Sequence, residues 1–269
     1  MRLFSLAFIL LLVGCTPNNV DVNNDLGKHF EKNNAKGCFA LLDNGTGNIT
    51  VFNLERYRDS AYLPASTFKI VNALVGLQTG RISSDSMVIP WDGRQREIAA
   101  CNKDLTMYEA FRVSSVPYFQ EVARRIGKDT MQYWLDSLSY GSKKISAAID
   151  TFWLDGSLTI TPDEQLGLVK RLYFNQLPFH KINMEFVKRA MLMEDKPEYK
   201  LAYKTGWSGW DEARQKHLGW IIGWVEENRH PYFFVLNLES NNKDFNMTEA
   251  RLNILKGILD ELGFLKGRR

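Results

Sequence analysis

The sequence predicts an α/β fold: an antiparallel sheet flanked by N- and C-terminal helices, with an all-helical region inserted into it. Three observations point there. Strand-like runs lie towards both ends, at 37–43 with 49–54 and at 217–226 with 232–239. The stretch between them has helical periodicity. The chain then closes on an amphipathic run from about residue 248, with Leu252, Leu255, Ile258, Leu259 and Leu262 on one face. Strands supplied by both ends imply one sheet completed by the two halves of the chain. The junction of that sheet with a helical block is a natural place for a cleft.

In chain order, the first two strands are separated by Asn44-Gly45-Thr46-Gly47-Asn48, a hairpin signal. Residues 66–80 have helical period, with Phe68, Ile70, Val71, Ala73, Leu74 and Leu77 apolar and Gly80 as the stop. Further helices are expected at 106–112, 116–126, 130–138 and 162–174. The last has an explicit start: Thr161 caps it, Pro162 suits the first helical position, and Glu164 completes a capping box. Strand character returns after about residue 199, and Asn228-Arg229-His230-Pro231 reads as the turn between the last two strands. The helical insertion is expected from about 62 to 195, within a single domain over 26–269.

The chain has 269 residues, 45% hydrophobic and 24% charged, which is ample for a core. A net charge of +3 is too small for a nucleic-acid footprint, so no nucleic-acid partner is expected. Met1-Arg2 and the apolar run at 3–13 have the form of a signal peptide over 1–14, too short to span a bilayer. Leu12-Val13-Gly14-Cys15 resembles the bacterial lipobox. That resemblance implies lipidation of Cys15 and membrane contact through the lipid alone. The polar, Asn-rich residues 15–25 read as a tether. A membrane-anchored lipoprotein in the periplasm of a Gram-negative bacterium is the expected setting. Cys38 and Cys101 then either pair or stay as buried thiols. His29, His180, His217 and His230 are scattered without metal-ligand spacing, so no metal site is expected.

The chemistry concentrates in Pro64-Ala65-Ser66-Thr67-Phe68-Lys69. Ser66 and Lys69 stand one helical turn apart, so hydroxyl and amine face the same way. A hydroxyl is a weak nucleophile until a neighbour accepts its proton. The apolar run after Lys69 buries the helix, and burial favours the neutral amine that can do so. The alternative is a surface lysine on an amphipathic helix. Downstream stand Ser114-Ser115-Val116 and Lys204-Thr205-Gly206. S-x-x-K followed by K-T-G is the signature of serine β-lactamases and penicillin-binding proteins.

The middle motif narrows this. Class A enzymes carry S-D-N, and the class A deacylating Glu motif is absent here. With S-x-V at Ser114 to Val116, the chain resembles the class D, or oxacillinase-type, serine β-lactamases. Trp153-Leu154-Asp155-Gly156-Ser157-Leu158 is similar to the family's W-x-x-G-S-L segment. Asp104-Leu105-Thr106, Gln165-Leu166 and Asn175-Gln176-Leu177-Pro178-Phe179 also match, and the resemblance spans about residues 30 to 265.

The resemblance implies the serine β-lactamase and penicillin-binding-protein fold, and hydrolysis of penicillin-type β-lactams. It makes Ser66 the acylated nucleophile and Lys69 an N6-carboxylysine, formed from carbon dioxide or bicarbonate, as general base. Ser114 would pass a proton to the leaving nitrogen. Val116 would line the apolar shell of the carbamate, and Trp153, otherwise a plain core residue, would donate its indole N–H to it. Lys204, Thr205 and Gly206 would receive the substrate carboxylate, and the N–H groups of Ser66 and Trp207 would form the oxyanion hole. Arg251 would be a second carboxylate anchor. It is expected in the first turn of the last helix, where a cation opposes the macrodipole, and the alternative is a solvated arginine. Tyr140-Gly141-Ser142 departs from the family's aromatic-Gly-Asn, which puts the local loop packing in question. Two rivals remain, a β-lactam sensor that stays acylated and a cell-wall transpeptidase or carboxypeptidase. The former is normally joined to transmembrane helices and a zinc protease, and the latter carries S-x-N. The aromatic pair Trp207 and Trp210 either roofs the cleft or packs under the sheet.

Overall fold

A computed structural model describes residues 19–267. The signal-peptide and Cys15 expectations lie outside the described residues. In chain order the elements are β1 Val20–Val22, α1 Gly27–Lys32, β2 Lys36–Asp43, β3 Ile49–Phe52, α2 Leu54–Asp59, α3 Lys69–Gln78, β4 Val88–Ile89, β5 Leu105–Thr106, α4 Met107–Arg112, α5 Val116–Ile126, α6 Lys128–Leu138, α7 Pro162–Tyr173, α8 Lys181–Met191, β6 Leu192–Asp195, β7 Lys200–Asp211, β8 Lys216–Glu227, β9 His230–Ser240 and α9 Met247–Glu261. A seven-stranded sheet runs β1-β3-β2-β9-β8-β7-β6, so both ends of the chain complete it as expected. β4 and β5 form a separate two-stranded ribbon.

Alternation along the central strands sorts the core into two layers. On β8, Ile222 joins the helical side with Phe68, Val71, Leu74, Phe119 and Trp153, whereas Ile221 joins Phe30, Ile254 and Ile258 on the other. Strands buried on both faces read as unbroken apolar runs, which is the pattern of β8 and β9. α1 and α9 cover the second face together. α3 is buried from Lys69 through Leu77, so helices and sheet enclose it on all sides.

Several expectations are corrected. The sheet is mixed, because β1 pairs parallel with β3. β1 also falls inside the stretch read as tether. The Val20-Asp21-Val22 alternation adds an edge strand, and a 3₁₀ turn over Asn24–Leu26, capped by Asn23, leads into α1. The helical region starts earlier than expected, with α2, and ends sooner, because Leu192–Asp195 forms edge strand β6. The turn before β9 is only Asn228-Arg229, both at positive φ, with His230 and Pro231 already in the strand. Positive φ at both central residues is the two-residue hairpin geometry that suits the right-handed strand twist. α9 starts at Met247 with Asn246 as its cap, so Arg251 lies in the second turn, beyond most of the dipole penalty. Thr106 and Thr161 both make complete capping boxes, with Glu109 and Glu164. Cys38 and Cys101 are both free and buried, and burial pushes the Cys38 thiol up to about 12. Among the described residues no helix is long and apolar enough to cross a membrane.

Candidate active site

Ser66 lies in a 3₁₀ turn, Ala65–Phe68, that feeds directly into α3. Three elements pin that turn. Ala65 sits at φ +48, in the left-handed region that a Cβ disfavours, and its N–H donates to Trp153 O at 3.1 Å. Thr67 Oγ1 donates to Pro64 O (2.7 Å) and accepts from Gln165 Nε2 (2.7 Å) on α7. Trp220 on β8 donates its indole N–H to Leu63 O at 2.9 Å. Gly206 of β7 lies against the same turn. A Cβ there would stand 3.0 Å from Pro64 O and 3.2 Å from Trp220 Cδ1, so glycine is what lets strand and turn approach.

Lys69 Nζ lies 2.8 Å from Ser66 Oγ, and the lysine side chain is fully buried. Among the described residues no carboxylate offsets that burial, which pushes its amine down to about 7. Roughly half of such amines are neutral at pH 7, against about one in 10³ to 10⁴ for an exposed lysine. The surface-lysine alternative is thereby excluded. The Phe119 ring centroid lies 5.8 Å from Nζ. Trp153 is fully buried, stacked at 5.4 Å on Phe68, the residue before Lys69. Its ring does belong to the core, yet its Nε1 finds no hydrogen-bond partner among the described residues. A buried donor left unpaired costs about 1–3 kcal/mol, so this N–H calls for an explanation.

Ser114 joins α4 to α5 at φ +57, a second non-glycine residue in the left-handed region. Its Oγ accepts from Lys204 Nζ at 2.9 Å, and Nζ also donates to Thr205 O at 3.0 Å. Lys204 is buried, with the Phe111 ring 5.5 Å away. Its amine is pushed well below the usual range, by burial first and then by the cations Lys69 and Arg251. Val116 is the first residue of α5, which Ser115 caps. From α9, Arg251 donates to Gly206 O at 3.1 Å, while its buried Nε has no partner among the described residues. Burial pulls its guanidinium down to about 10. It is therefore not a freely solvated arginine. Trp207 stands 42% exposed beside Gly206, and Trp210 is half-buried.

The structure thus links Ser66 to Lys69, Ser114 to Lys204, and Arg251 to the K-T-G strand. Similarity to known proteins says which family this arrangement belongs to. The penicillin-binding-protein transpeptidase domain family matches residues 28–260. Beta-lactamase OXA-5 of Pseudomonas aeruginosa is 36% identical over 99% of this chain and 100% of its own length. The crystal structure of the class D beta-lactamase YbXI from Nostoc matches with a TM-score of 0.84 and 37% identity, covering 90% of this chain and 100% of that one. The chain belongs to the class D β-lactamases. The C-terminal domain of the Bacillus licheniformis BlaR penicillin-receptor is also similar to this class D β-lactamase. Its TM-score is 0.85 at 32% identity, over 93% of this chain and 99% of that domain.

The departure at Ser142 is accommodated in this class D β-lactamase without an amide. Ser142 N donates to Thr159 O (2.8 Å), and its Oγ accepts from Thr159 N (3.0 Å) and donates to Ser157 O (3.4 Å). One hydroxyl both donates and accepts, so it ties the Tyr140 loop to the 157–159 segment. Sequence reasoning missed Trp220 and His217, because both sit in an apolar strand run that reads as core. It noted Gln165 only as family-like. The signal for Gln165 was a long polar side chain on the buried face of an amphipathic helix.

Proposed function

We propose that the protein hydrolyses the β-lactam ring of penicillin-type antibiotics through an acyl-enzyme on Ser66, and so confers resistance to them. The observation that carries this is the Ser66–Lys69 pair, a hydroxyl 2.8 Å from a fully buried amine held near 7. Ser66 Oγ attacks the lactam carbonyl while the Lys69 side chain takes its proton. The oxygen that gains charge faces the main-chain N–H groups of Ser66 and Trp207, donors typically worth about 3–4 kcal/mol each. The ring C–N bond breaks, and the nitrogen receives, through the Ser114 hydroxyl as relay, the proton that the Lys69 side chain took from Ser66, which returns Lys69 to its base form. Lys204 holds Ser114 in place at 2.9 Å. Lys204, Thr205 and Arg251 receive the substrate carboxylate. Water, activated by the same base at Lys69, then cleaves the ester and restores Ser66.

We further propose that Lys69 works as a carbamate made from carbon dioxide. A carbamate would supply a carboxylate-like base for both steps. The residues fit such a group. The amine is substantially neutral, the form that reacts with carbon dioxide, the apolar Phe119 ring lies 5.8 Å from it, and Trp153 brings an N–H unpaired among the described residues to the same core. For the chain's setting, Cys15 and the apolar run before it support a lipid-anchored periplasmic protein, and labelling of whole cells with a fatty-acid analogue tests that.

Intact mass spectrometry of the purified protein mixed with a penicillin and bicarbonate tests the enzyme reading. Transient acylation at Ser66 with product accumulating is the expected result. An adduct that persists for hours would instead favour a sensor, the reading that similarity to the BlaR domain keeps in play.

A further inference from the structure

We infer that His217 is a positioning residue for Trp207, holding the oxyanion side of the cleft in register. The inference rests on the proposed role of the Trp207 N–H. β7 and β8 pair regularly from Lys200↔Glu226 to Trp207↔Gly219, and then the register slips, resuming at Trp210↔His217. Gly209 lies in the slip at φ +75. Trp207 is therefore the last residue of the regular ladder, next to a bulge that interrupts main-chain hydrogen bonds. A main-chain donor at such a place is free to drift unless side chains replace the missing bonds.

Two side chains do so. Ser208 Oγ accepts from Leu218 N at 3.1 Å. His217 Nδ1 accepts from Trp207 Nε1 at 3.2 Å. The histidine is 3% exposed, and its other nitrogen, Nε2, lies 2.9 Å from Lys243 O. A carbonyl can only accept, so the proton sits on Nε2 and Nδ1 is left as the acceptor. Trp210, edge-on at 5.1 Å, and Phe245 pack around the ring. The indole it holds is 42% exposed, so burial alone does not hold Trp207. A phenylalanine would fill the His217 site as well by shape. What histidine adds is one acceptor and one donor, which tie the strand before the bulge to the strand and loop after it.

A double-mutant cycle on the full chain tests this, with the acylation rate by a penicillin as readout and thermal unfolding measured alongside. His217→Phe and Trp207→Phe each keep an aromatic ring and lose the bond. Each is expected to slow acylation about tenfold to a hundredfold, the range for a displaced catalytic group. The double variant is expected to be no slower than the slower single, since both remove one interaction. His217→Asn, which keeps an acceptor near the Nδ1 position, is expected to stay within about threefold of wild type. Wild-type acylation rates in His217→Phe, or losses that multiply in the double variant, would overturn the inference. Wild-type protein that never takes up penicillin would overturn the underlying reading instead, and is seen before any variant is compared.

Discussion

Trp153→Phe separates the carbamate reading from a purely structural role. The substitution keeps a ring in the aromatic cluster, where Trp153 stacks on Phe68 at 5.4 Å and meets Phe152 edge-on at 5.1 Å. It deletes one atom of interest, the buried Nε1, which has no partner among the described residues. In carbon-dioxide-free buffer two effects oppose each other. The smaller ring leaves a void, while removing an unpaired donor relieves about 1–3 kcal/mol. Stability should change by less than about 2 kcal/mol. With bicarbonate present the balance differs. A hydrogen bond to a charged acceptor is worth about 1.5–3 kcal/mol net, so losing it should weaken carbamylation roughly 10- to 150-fold. Titration with ¹³C-bicarbonate, read from the carbamate carbon by NMR, gives the half-saturating concentration directly. Turnover measured at the same concentrations should recover in parallel. An unchanged half-saturating concentration in Trp153→Phe would refute the reasoning, because the indole N–H would then have no part in holding the group.

Other perturbations probe the same framework. Lys69 sits near 7 when folded and near the usual 10.5 when unfolded, so between those values the unfolded chain binds a proton that the folded chain lacks. Lys69→Met should therefore be more stable than wild type at pH 7 without carbon dioxide, by at most roughly 5 kcal/mol at 1.36 kcal/mol per unit. Urea unfolding should show that gap narrowing as pH rises from 7 to 10.5, and a constant gap would contradict it. Gly206→Ala sets a Cβ against Pro64 O, a main-chain atom that cannot swing away. It should cost about 1–3 kcal/mol in stability and lower kcat as the strand and the nucleophile's turn are forced apart, as steady-state kinetics would show. Ser142→Ala removes the acceptor for Thr159 N and should cost about 1 kcal/mol by thermal unfolding, with Ser142→Asn restoring it.

Most of the scaffold was legible because local signals and tertiary packing agree. The capping boxes at Thr106 and Thr161, the helix over Val116–Ile126 and the apolar runs of β8 and β9 each carry their own pattern. β1 was not legible, because three residues in a polar stretch become a strand only when β3 supplies the partner edge. The same holds at the site. Ser66 and Lys69 are local, one turn apart, and so could be paired from sequence. The bond from Lys204 to Ser114, the donation of Trp220 to Leu63 and the left-handed Ser114 are products of the assembled fold. Resemblance to a family supplied Ser114, Trp153 and Arg251, but not His217, which sits in an apolar strand run and matches no motif.

The least expected feature is the accumulation of positive groups in one cleft, and it carries a prediction of its own. Lys69 and Arg251 both bear on Lys204, with no carboxylate among the causes acting on it. Burial depresses Lys204 most, and the cation at Lys69 adds to it. A neutral Lys204 would be a poor receiver of a carboxylate, since the attraction depends on its charge. Two changes should restore that charge. Removing the amine at position 69 deletes a repulsion, and converting it to an anion replaces repulsion with attraction. The ¹⁵N resonance of the Lys204 amine at pH 7 should therefore move towards its ammonium position in Lys69→Met, and further in wild type given bicarbonate. By reciprocity, whatever charges Lys204 also favours the anion beside it, so base and carboxylate receiver would be set together. A Lys204 resonance indifferent to both changes would mean that burial alone governs it, and that the two lysines act independently.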